Sequence, residues 1–255
     1  MNHGFGVKGP GLATLAALLA GIVAATGAAA QEADQFAGGT FGGGLTMGTD
    51  YMFRGLSQTG NKPQLQGDFN WSHSSGLYLG LWSTNTDFGD SEAHIELDPY
   101  IGFAGDIGDT DFSYDVGFWY YTYPGSDIDY DFGEAYGYLT YSLGDLSLTG
   151  SLWYADNYFG KDFFDDVSSL AYHGIVAYQL PMGFSVSGRV GEQTFDETNG
   201  LPDQDYVYYD AGVSVDWKGF TADLRWHDTD GVDTDELAAE EDSDGRWVFS
   251  VSRSF

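Results

Sequence analysis

From residue 40 to residue 255 the chain is divided into segments of about ten residues in which every second side chain is apolar. This period of two is the spacing at which successive side chains of a β-strand point to opposite faces of a sheet. The first segment separates an apolar parity from a polar one, with Phe41, Leu45, Met47, Tyr51 and Phe53 on the former and Thr40, Thr46, Asp50 and Arg54 on the latter. The pattern predicts an all-β fold.

After this first segment, the pattern predicts further strands at 64–73, 77–85, 94–105, 110–123, 133–143, 146–156, 168–180, 184–195, 205–217, 220–228 and 246–255. Short turns at 74–76, 106–109, 144–145, 181–183 and 218–219 alternate with long, acidic connectors at 55–63, 85–93, 124–132, 157–167, 196–204 and 229–245. An even strand number with this alternation is typical of outer-membrane barrels. We expect a closed antiparallel transmembrane β-barrel of about twelve strands, with short periplasmic turns and longer acidic extracellular loops.

A soluble β-sandwich or a lipocalin-like barrel is the alternative, because it also alternates, with its apolar parity packed inward. The apolar parity here carries many Tyr and Trp side chains near segment ends, as in the aromatic girdles of membrane barrels, while the other parity carries charges. This distribution favours the membrane barrel.

The N-terminus has the three parts of a secretory signal peptide. Lys8 lies in a short basic region, residues 12–23 are an apolar run, and residues 28–30 are small. The run is too short for a transmembrane helix. We expect a cleavable signal peptide at 1–30 and a mature barrel domain at 31–255, although a buried N-terminal helix is the alternative.

Composition excludes several classes of protein. The formal net charge of -30 repels phosphate and excludes nucleic-acid binding. Cysteine is absent, so no disulfide and no Cys-ligated metal or cluster is available. We expect no cofactor.

Two stretches resemble a known family. Residues 47–59 read Met-Gly-Thr-Asp-Tyr-Met-Phe-Arg-Gly-Leu-Ser-Gln-Thr, and residues 73–85 read His-Ser-Ser-Gly-Leu-Tyr-Leu-Gly-Leu-Trp-Ser-Thr-Asn. Both resemble the opening signature of the TorF-type porins, from which Thr49 and Thr84 depart where that family commonly has Ser. The resemblance implies an outer-membrane barrel from a family with no settled substrate or reaction.

If the apolar parity faces lipid, the opposite parity places charged side chains in the lumen. These are Asp50, Arg54, Asp68, Glu96, Asp98, Asp115, Glu134, Arg189, Asp210, Asp223 and Arg225. They are candidate pore-lining residues of a water-filled pathway whose acidic excess favours cations. The alternative is an internal network of salt bridges that closes a narrow barrel.

The segment after the first strand is a candidate pore mouth. Arg54 precedes Gly55, which permits a sharp bend, and Ser57 and Gln58 follow as candidate solute contacts. The alternative is that Gly55 and Ser57 only shape the loop and that Arg54 pairs with a carboxylate of the wall.

Neither catalysis nor a metal site is expected. The histidines lie in no recognisable nucleophile context, and the sequence has no G-x-S-x-G elbow. The acidic stretch 228–244 does not match a calcium loop, because Val251 falls where such a loop needs a bidentate Glu.

The sequence therefore predicts a bacterial outer-membrane porin, a passive channel for small hydrophilic solutes or ions that prefers cations. A closed structural or surface-interaction barrel without channel activity is the alternative. The expected partners are outer-membrane lipid, lipopolysaccharide and the barrel-assembly machinery, which would read the terminal aromatic residue Phe255.

Overall fold

A computed structural model describes residues 36–89, 93–163, 167–196, 204–234 and 237–255. Its strands are β1 (Gly39–Gly48), β2 (Met52–Phe53), β3 (Leu56–Ser57), β4 (Gln64–His73), β5 (Leu77–Asn85), β6 (Ile95–Asp106), β7 (Phe112–Tyr121), β8 (Phe132–Leu143), β9 (Leu146–Ala155), β10 (Ser169–Gln179), β11 (Phe184–Phe195), β12 (Tyr206–Trp217), β13 (Phe220–Asp230) and β14 (Arg246–Ser254). The expected signal peptide, 1–30, lies outside the described residues.

Twelve of these strands close into one antiparallel barrel, and β2 and β3 form a separate hairpin. Each barrel strand pairs with its neighbour along the chain, and β14 pairs with β1 to complete the ring. The helices α1 (Gly160–Phe163) and α2 (Glu240–Ser243) lie in long connectors. In the described part of the chain, no helix is long and apolar enough to cross a membrane.

Alternation along the strands gives the barrel an apolar exterior. Leu45, Leu65, Leu152 and Val190 are each more than half exposed, and other large apolar side chains extend this surface around the ring. A surface of this kind is typical of a barrel embedded in lipid. Arg253 also faces outward, where its guanidinium lies 4.7 Å from the centre of the Phe220 ring. The predicted closed, twelve-stranded antiparallel barrel is confirmed.

The first strand is shorter than the alternation of apolar residues predicted. β1 ends at Gly48, and the chain then turns into the lumen instead of continuing along the wall. Tyr51 packs against Trp82 and Phe53 packs against Tyr121, so neither lies on the outer face that their parity predicted. The inward turn packs both half-buried rings against the aromatic cluster inside the barrel.

Candidate functional site

The barrel interior has two different ends. The long-loop end carries the connectors that follow β1, β5, β7, β9, β11 and β13, and the short-turn end carries the tight turns. A cavity of about 300 Å³ lies inside the barrel. It is bordered by the hairpin residues 51–54, by aromatic side chains of β5 to β9, and by small polar and charged side chains of β11 to β14.

The β2–β3 hairpin crosses the lumen at the long-loop end. Its two turn residues, Arg54 and Gly55, both have positive φ values, 48° and 86°, as a two-residue type I′ turn requires. A Cβ atom at Gly55 would lie 2.4 Å from Thr229 Cγ2 and 3.1 Å from Tyr208 Cβ. The hairpin tip therefore contacts the wall formed by β12 and β13, and only glycine fits at that contact.

Arg54 fixes the hairpin tip inside the barrel. Its Nη2 donates to both carboxylate oxygens of Glu134 on β8, at 2.9 and 2.7 Å, and its Nη1 donates to Gln193 Oε1 on β11 at 2.6 Å. The guanidinium lies 5.7 Å from the centre of the Trp153 ring. Arg54 is 6% exposed and Glu134 is fully buried. Breaking such a desolvated ion pair strongly destabilises the fold, because removal of one partner leaves a buried charge without a counter-ion.

Asp50 holds the base of the hairpin. Its Oδ1 accepts hydrogen bonds from the hydroxyls of Ser57 and Thr59, each at 2.7 Å, and its Oδ2 pairs with Arg246 Nη1 at 3.1 Å. Ser57 and Gln58, the candidate pore-mouth contacts, are both buried at this base. Neither is among the side chains that line the cavity.

A second group of ion pairs lies on the wall formed by β11, β12 and β13. Asp210 accepts from Arg189 Nε and from Arg225 Nη1, both at 2.6 Å. Arg225 Nη2 also donates to Asp223 Oδ2 at 3.2 Å and to Ser187 Oγ at 2.8 Å. Adjacent strands bring these residues together, since Arg189 is opposite Asp210 in the β11–β12 register. The two arginines and two aspartates balance in charge.

The other candidate acidic residues contact the polar groups of aromatic side chains. Asp68 accepts from the Tyr100 hydroxyl at 2.6 Å, and Asp115 accepts from Tyr78. Asp98 accepts from the Trp119 indole at 2.8 Å, and Glu96 lies 3.5 Å from the Tyr51 hydroxyl.

All the candidate pore residues lie on the interior side, but only some of them border the cavity. Asp50 and Arg54 lie inside because the chain turns into the lumen after β1, and the others are placed there by strand parity. Those that border the cavity are Asp50, Arg54, Asp98, Arg189, Asp223 and Arg225. Asp68, Glu96, Asp115, Glu134 and Asp210 are not among the lining residues. Their role in solute passage stays a prediction.

Sequence reasoning missed the aromatic side of the interior. Trp82, Trp119, Trp153 and Tyr138 line the cavity from β5, β7, β9 and β8. Each has the parity that faces inward, although the sequence analysis assigned aromatic side chains to outer girdles. The available signal was the occurrence of aromatic residues on both parities of these strands.

The connector at 58–63 is tied to the connector that follows β5. Lys62 forms an ion pair with Asp87, and Asp87 N–H donates to Gln58 O at 2.9 Å. The hydrogen bond from Lys62 lowers the pKa of the Asp87 carboxyl below its ordinary value, and the Gly89 N–H adds to this effect. Both side chains are partly solvated, so this contact is weak compared with the buried pair.

Within the described residues, no group of three or more His, Asp or Glu side chains is arranged to hold a metal ion. His173 and His227 line the cavity on separate strands, and His173 Nδ1 lies 3.0 Å from the Tyr208 hydroxyl.

Residues 31–255 match the sequence model of a family described as "Bacterial protein of unknown function (Gcw_chp)". Among solved structures, the fold is similar to that of the KdgM porin, with a TM-score of 0.57, 10% sequence identity, and coverage of 84% of this chain and 99% of that one. It is also similar to the NanC porin, with a TM-score of 0.56, 10% identity, and coverage of 84% and 98%. A search of curated proteins returned no match.

Proposed function

We propose that this chain, which belongs to the Gcw_chp family, is a porin of the bacterial outer membrane and allows small hydrophilic solutes to diffuse passively. The observation that carries the proposal is a cavity of about 300 Å³ inside a closed barrel whose outer surface is apolar. A polar interior within a lipid-facing barrel is the arrangement that porins use. The resemblance to the TorF-type porins agrees with this function.

The orientation of the barrel in the membrane follows from the general architecture of outer-membrane barrels. In outer-membrane barrels the short turns face the periplasm and the long loops face outward. The acidic connectors would then lie at the cell surface beside lipopolysaccharide. Export with removal of residues 1–30, and insertion by the assembly machinery through Phe255, complete this proposal.

Cation preference is the expected selectivity. The interior acidic side chains named above outnumber the interior arginines, Arg54, Arg189, Arg225 and Arg246, and the whole chain has a net charge of -30. Acidic groups around a pathway favour cations over anions. The Arg189–Asp210–Arg225–Asp223 group is balanced, so we expect the preference to arise mainly from the other carboxylates.

The buried Arg54–Glu134 pair favours a second candidate function. The hairpin crosses the lumen and Glu134 is fully buried, as expected of a barrel that is closed at its long-loop end. Such a barrel would act through its surface loops and would conduct no ions.

Single-channel recording in a planar bilayer separates the two candidates. The mature protein, refolded in detergent, should produce stable conductance steps, and a salt gradient should give a reversal potential of the sign that indicates cation preference. A folded, heat-modifiable barrel that never conducts would contradict the channel and support the closed barrel.

A pair of matched variants tests whether the lumen wall sets the selectivity. Arg225→Gln removes one positive charge from the cavity wall, so the reversal potential should shift further toward cation preference. Arg253→Gln removes the same charge from the outer surface and should leave the potential unchanged. Equal shifts in both variants would contradict a pathway along this wall.

A further inference from the structure

Two exposed cations of this acidic chain have no ion-pair partner. Most Lys and Arg side chains in the described part of the chain pair with a carboxylate, namely Arg54, Lys62, Arg189, Arg225 and Arg246. Lys218 and Arg253 are exposed, and neither forms an ion pair with a described acidic side chain, although the chain has a net charge of -30. Asp216, which is close to Lys218 in sequence, accepts from Thr221 Oγ1 at 2.5 Å instead.

The two cations lie close together at the short-turn end of the barrel. Lys218 and Gly219 form the tight turn between β12 and β13. Across this turn Trp217 is opposite Phe220, and Phe220 is in turn opposite Arg253 on β14. Because neighbouring strands are about 4.8 Å apart, the two ends of this row are separated by about 10 Å. One small group can therefore contact both cations.

Aromatic rings place both cations on the outer face of the wall. Lys218 Nζ lies 4.6 Å from the centre of the Trp217 ring, and the Arg253 guanidinium lies 4.7 Å from the centre of the Phe220 ring. Both rings are themselves exposed on the outer surface. Aromatic rings at the strand ends of a membrane barrel mark the membrane–water interface. The ammonium and guanidinium groups are thus at the depth of the lipid headgroups.

The backbone of the turn does not account for the lysine. The φ angles are 52° at Lys218 and 79° at Gly219, so both positions are in the left-handed region that a type I′ turn requires. Asn, Asp and Gly are the residues that such a turn favours at its first position, and a long side chain rarely adopts this conformation. What lysine adds at this position is its charge.

The surface beside the cations, toward the middle of the membrane, is apolar. The next outward-facing row crosses the same three strands and consists of Val215, Ala222 and Val251, which are opposite one another. These side chains carry no charge and are smaller than the rings of the first row. A cationic row at the interface is thus followed by an apolar row, which is the order of headgroup and acyl chain in a phospholipid.

We propose that a basic patch, formed by Trp217, Lys218, Phe220 and Arg253, binds the headgroup of an anionic phospholipid in the leaflet at the short-turn end. The phosphodiester oxygens accept hydrogen bonds from the ammonium and guanidinium groups, and the acyl chains cover the apolar row. A zwitterionic headgroup has an ammonium group that both cations repel, so a headgroup with net negative charge is favoured. This inference rests on the proposed position in the outer membrane but not on conduction.

Native mass spectrometry of the refolded mature barrel tests the patch. The protein in detergent micelles is mixed with equal amounts of phosphatidylglycerol and phosphatidylethanolamine that have the same acyl chains, so that the chains contribute equally. The masses of the lipid adducts distinguish the two lipids. We expect the parent to retain phosphatidylglycerol in preference to phosphatidylethanolamine.

Variants assign this preference to the two cations. Lys218→Asn, which suits the turn, and Arg253→Gln should each lower the preference about fivefold, the size expected for one cation near a membrane surface. The double variant should have no preference. Lys218→Arg keeps the charge and should behave as the parent does. Lys161→Gln removes an exposed lysine from α1 at the long-loop end and should leave the preference unchanged.

Several results would overturn the proposal. These are equal retention of both lipids by the parent, or an unchanged preference in the double variant. Displacement of the lipid by a tenfold excess of inorganic phosphate would show a general anion site, since phosphate has no acyl chains. A dimer of the parent that dissociates in the double variant would show that a second copy of the chain covers the patch instead.

The outcome for the patch is separable from the outcome for the channel. Heat-modifiable migration in a gel shows that each variant is folded before its lipids are measured. Retention of phosphatidylglycerol by a barrel that never conducts would support the patch and contradict the channel. Conduction without lipid preference would do the reverse.

Discussion

Two regions of the barrel interior contain the same pairing of arginine with carboxylate but differ in how closely the pair is packed. At the long-loop end, Arg54 and Glu134 are 6% and 0% exposed, and aromatic rings surround them. On the β11–β13 wall, Arg225 and Asp223 are 11% and 22% exposed and border a cavity. An ion pair packed among rings closes space, whereas an ion pair among serines leaves room for water and solute.

The largest effect is expected when the buried Arg54–Glu134 ion pair is broken. Arg54→Met leaves Glu134 as a buried, unpaired charge, so we expect a loss of about 3–5 kcal/mol in the free energy of unfolding. Denaturant unfolding of the refolded barrel in micelles measures this loss. The double variant Arg54→Met with Glu134→Leu should recover most of it, because no charge remains buried.

The matched variant is Arg225→Met on the more solvated β11–β13 wall. Its loss should be smaller, since Asp210 keeps Arg189 as a partner and Asp223 is partly solvated. Equal losses in Arg54→Met and Arg225→Met would erase the difference between the two regions.

A smaller effect comes from filling the space over a glycine. In Gly117→Ala the new Cβ would lie 2.5 Å from Ile101 O and 2.6 Å from the Tyr136 hydroxyl, so the Tyr136 ring and the neighbouring strand must shift. We expect a loss of about 1–3 kcal/mol in unfolding free energy, as for other overpacked sites.

Gly150 on β9 provides the control, because a Cβ atom there meets nothing within 4 Å. Gly150→Ala should change the unfolding free energy by less than about 0.5 kcal/mol. If Gly117→Ala also leaves the unfolding free energy unchanged, the close packing of Tyr136 on Gly117 does not contribute to stability.

The smallest effect is expected at the surface pair. Lys62→Met removes the hydrogen bond that lowers the Asp87 pKa, so that carboxyl should titrate at higher pH, closer to the ordinary value of about 4. Because the Asp87 pKa is lowered in the folded protein, its stabilising effect is present above the ordinary pKa. It is lost as pH falls through the lowered value.

NMR titration of the Asp87 carboxyl measures this shift. Lys161→Met, at an exposed lysine of α1, should leave the Asp87 titration unchanged. An unmoved Asp87 pKa in Lys62→Met would show that the backbone N–H of Gly89 and the nearby His94 lower it without Lys62.

The strands were predictable because their signal is local. β4 and β5 were expected at 64–73 and 77–85 and occupy Gln64–His73 and Leu77–Asn85. A period of two and a turn are both contained in short stretches of sequence. The interior placement of the charged residues on β4 to β13 followed from the same parity, whereas Asp50 and Arg54 lie inside because of the hairpin.

The hairpin was not predictable from parity, because Tyr51 and Phe53 continue the apolar alternation of β1 after the strand has ended. The turn at Arg54–Gly55 was read as a bend, but its insertion depends on Glu134 and Gln193, which are distant in sequence. The register between strands likewise determines which carboxylate pairs with each arginine of the wall. The stacking of Trp153 on Tyr136 also exists only across strands, so no single segment reveals it.

The seam between β1 and β14 has a consequence for the order of events during folding. Every other pair of neighbouring barrel strands is consecutive along the chain, except that β2 and β3 lie between β1 and β4. These pairs can form from contacts that are local in sequence. At the seam, Thr49 and Phe249 are bonded across 200 residues. Loop closure over that distance is entropically costly. We therefore expect the ring to remain an open, curved sheet until its last strand arrives, so that seam formation sets the pace of maturation.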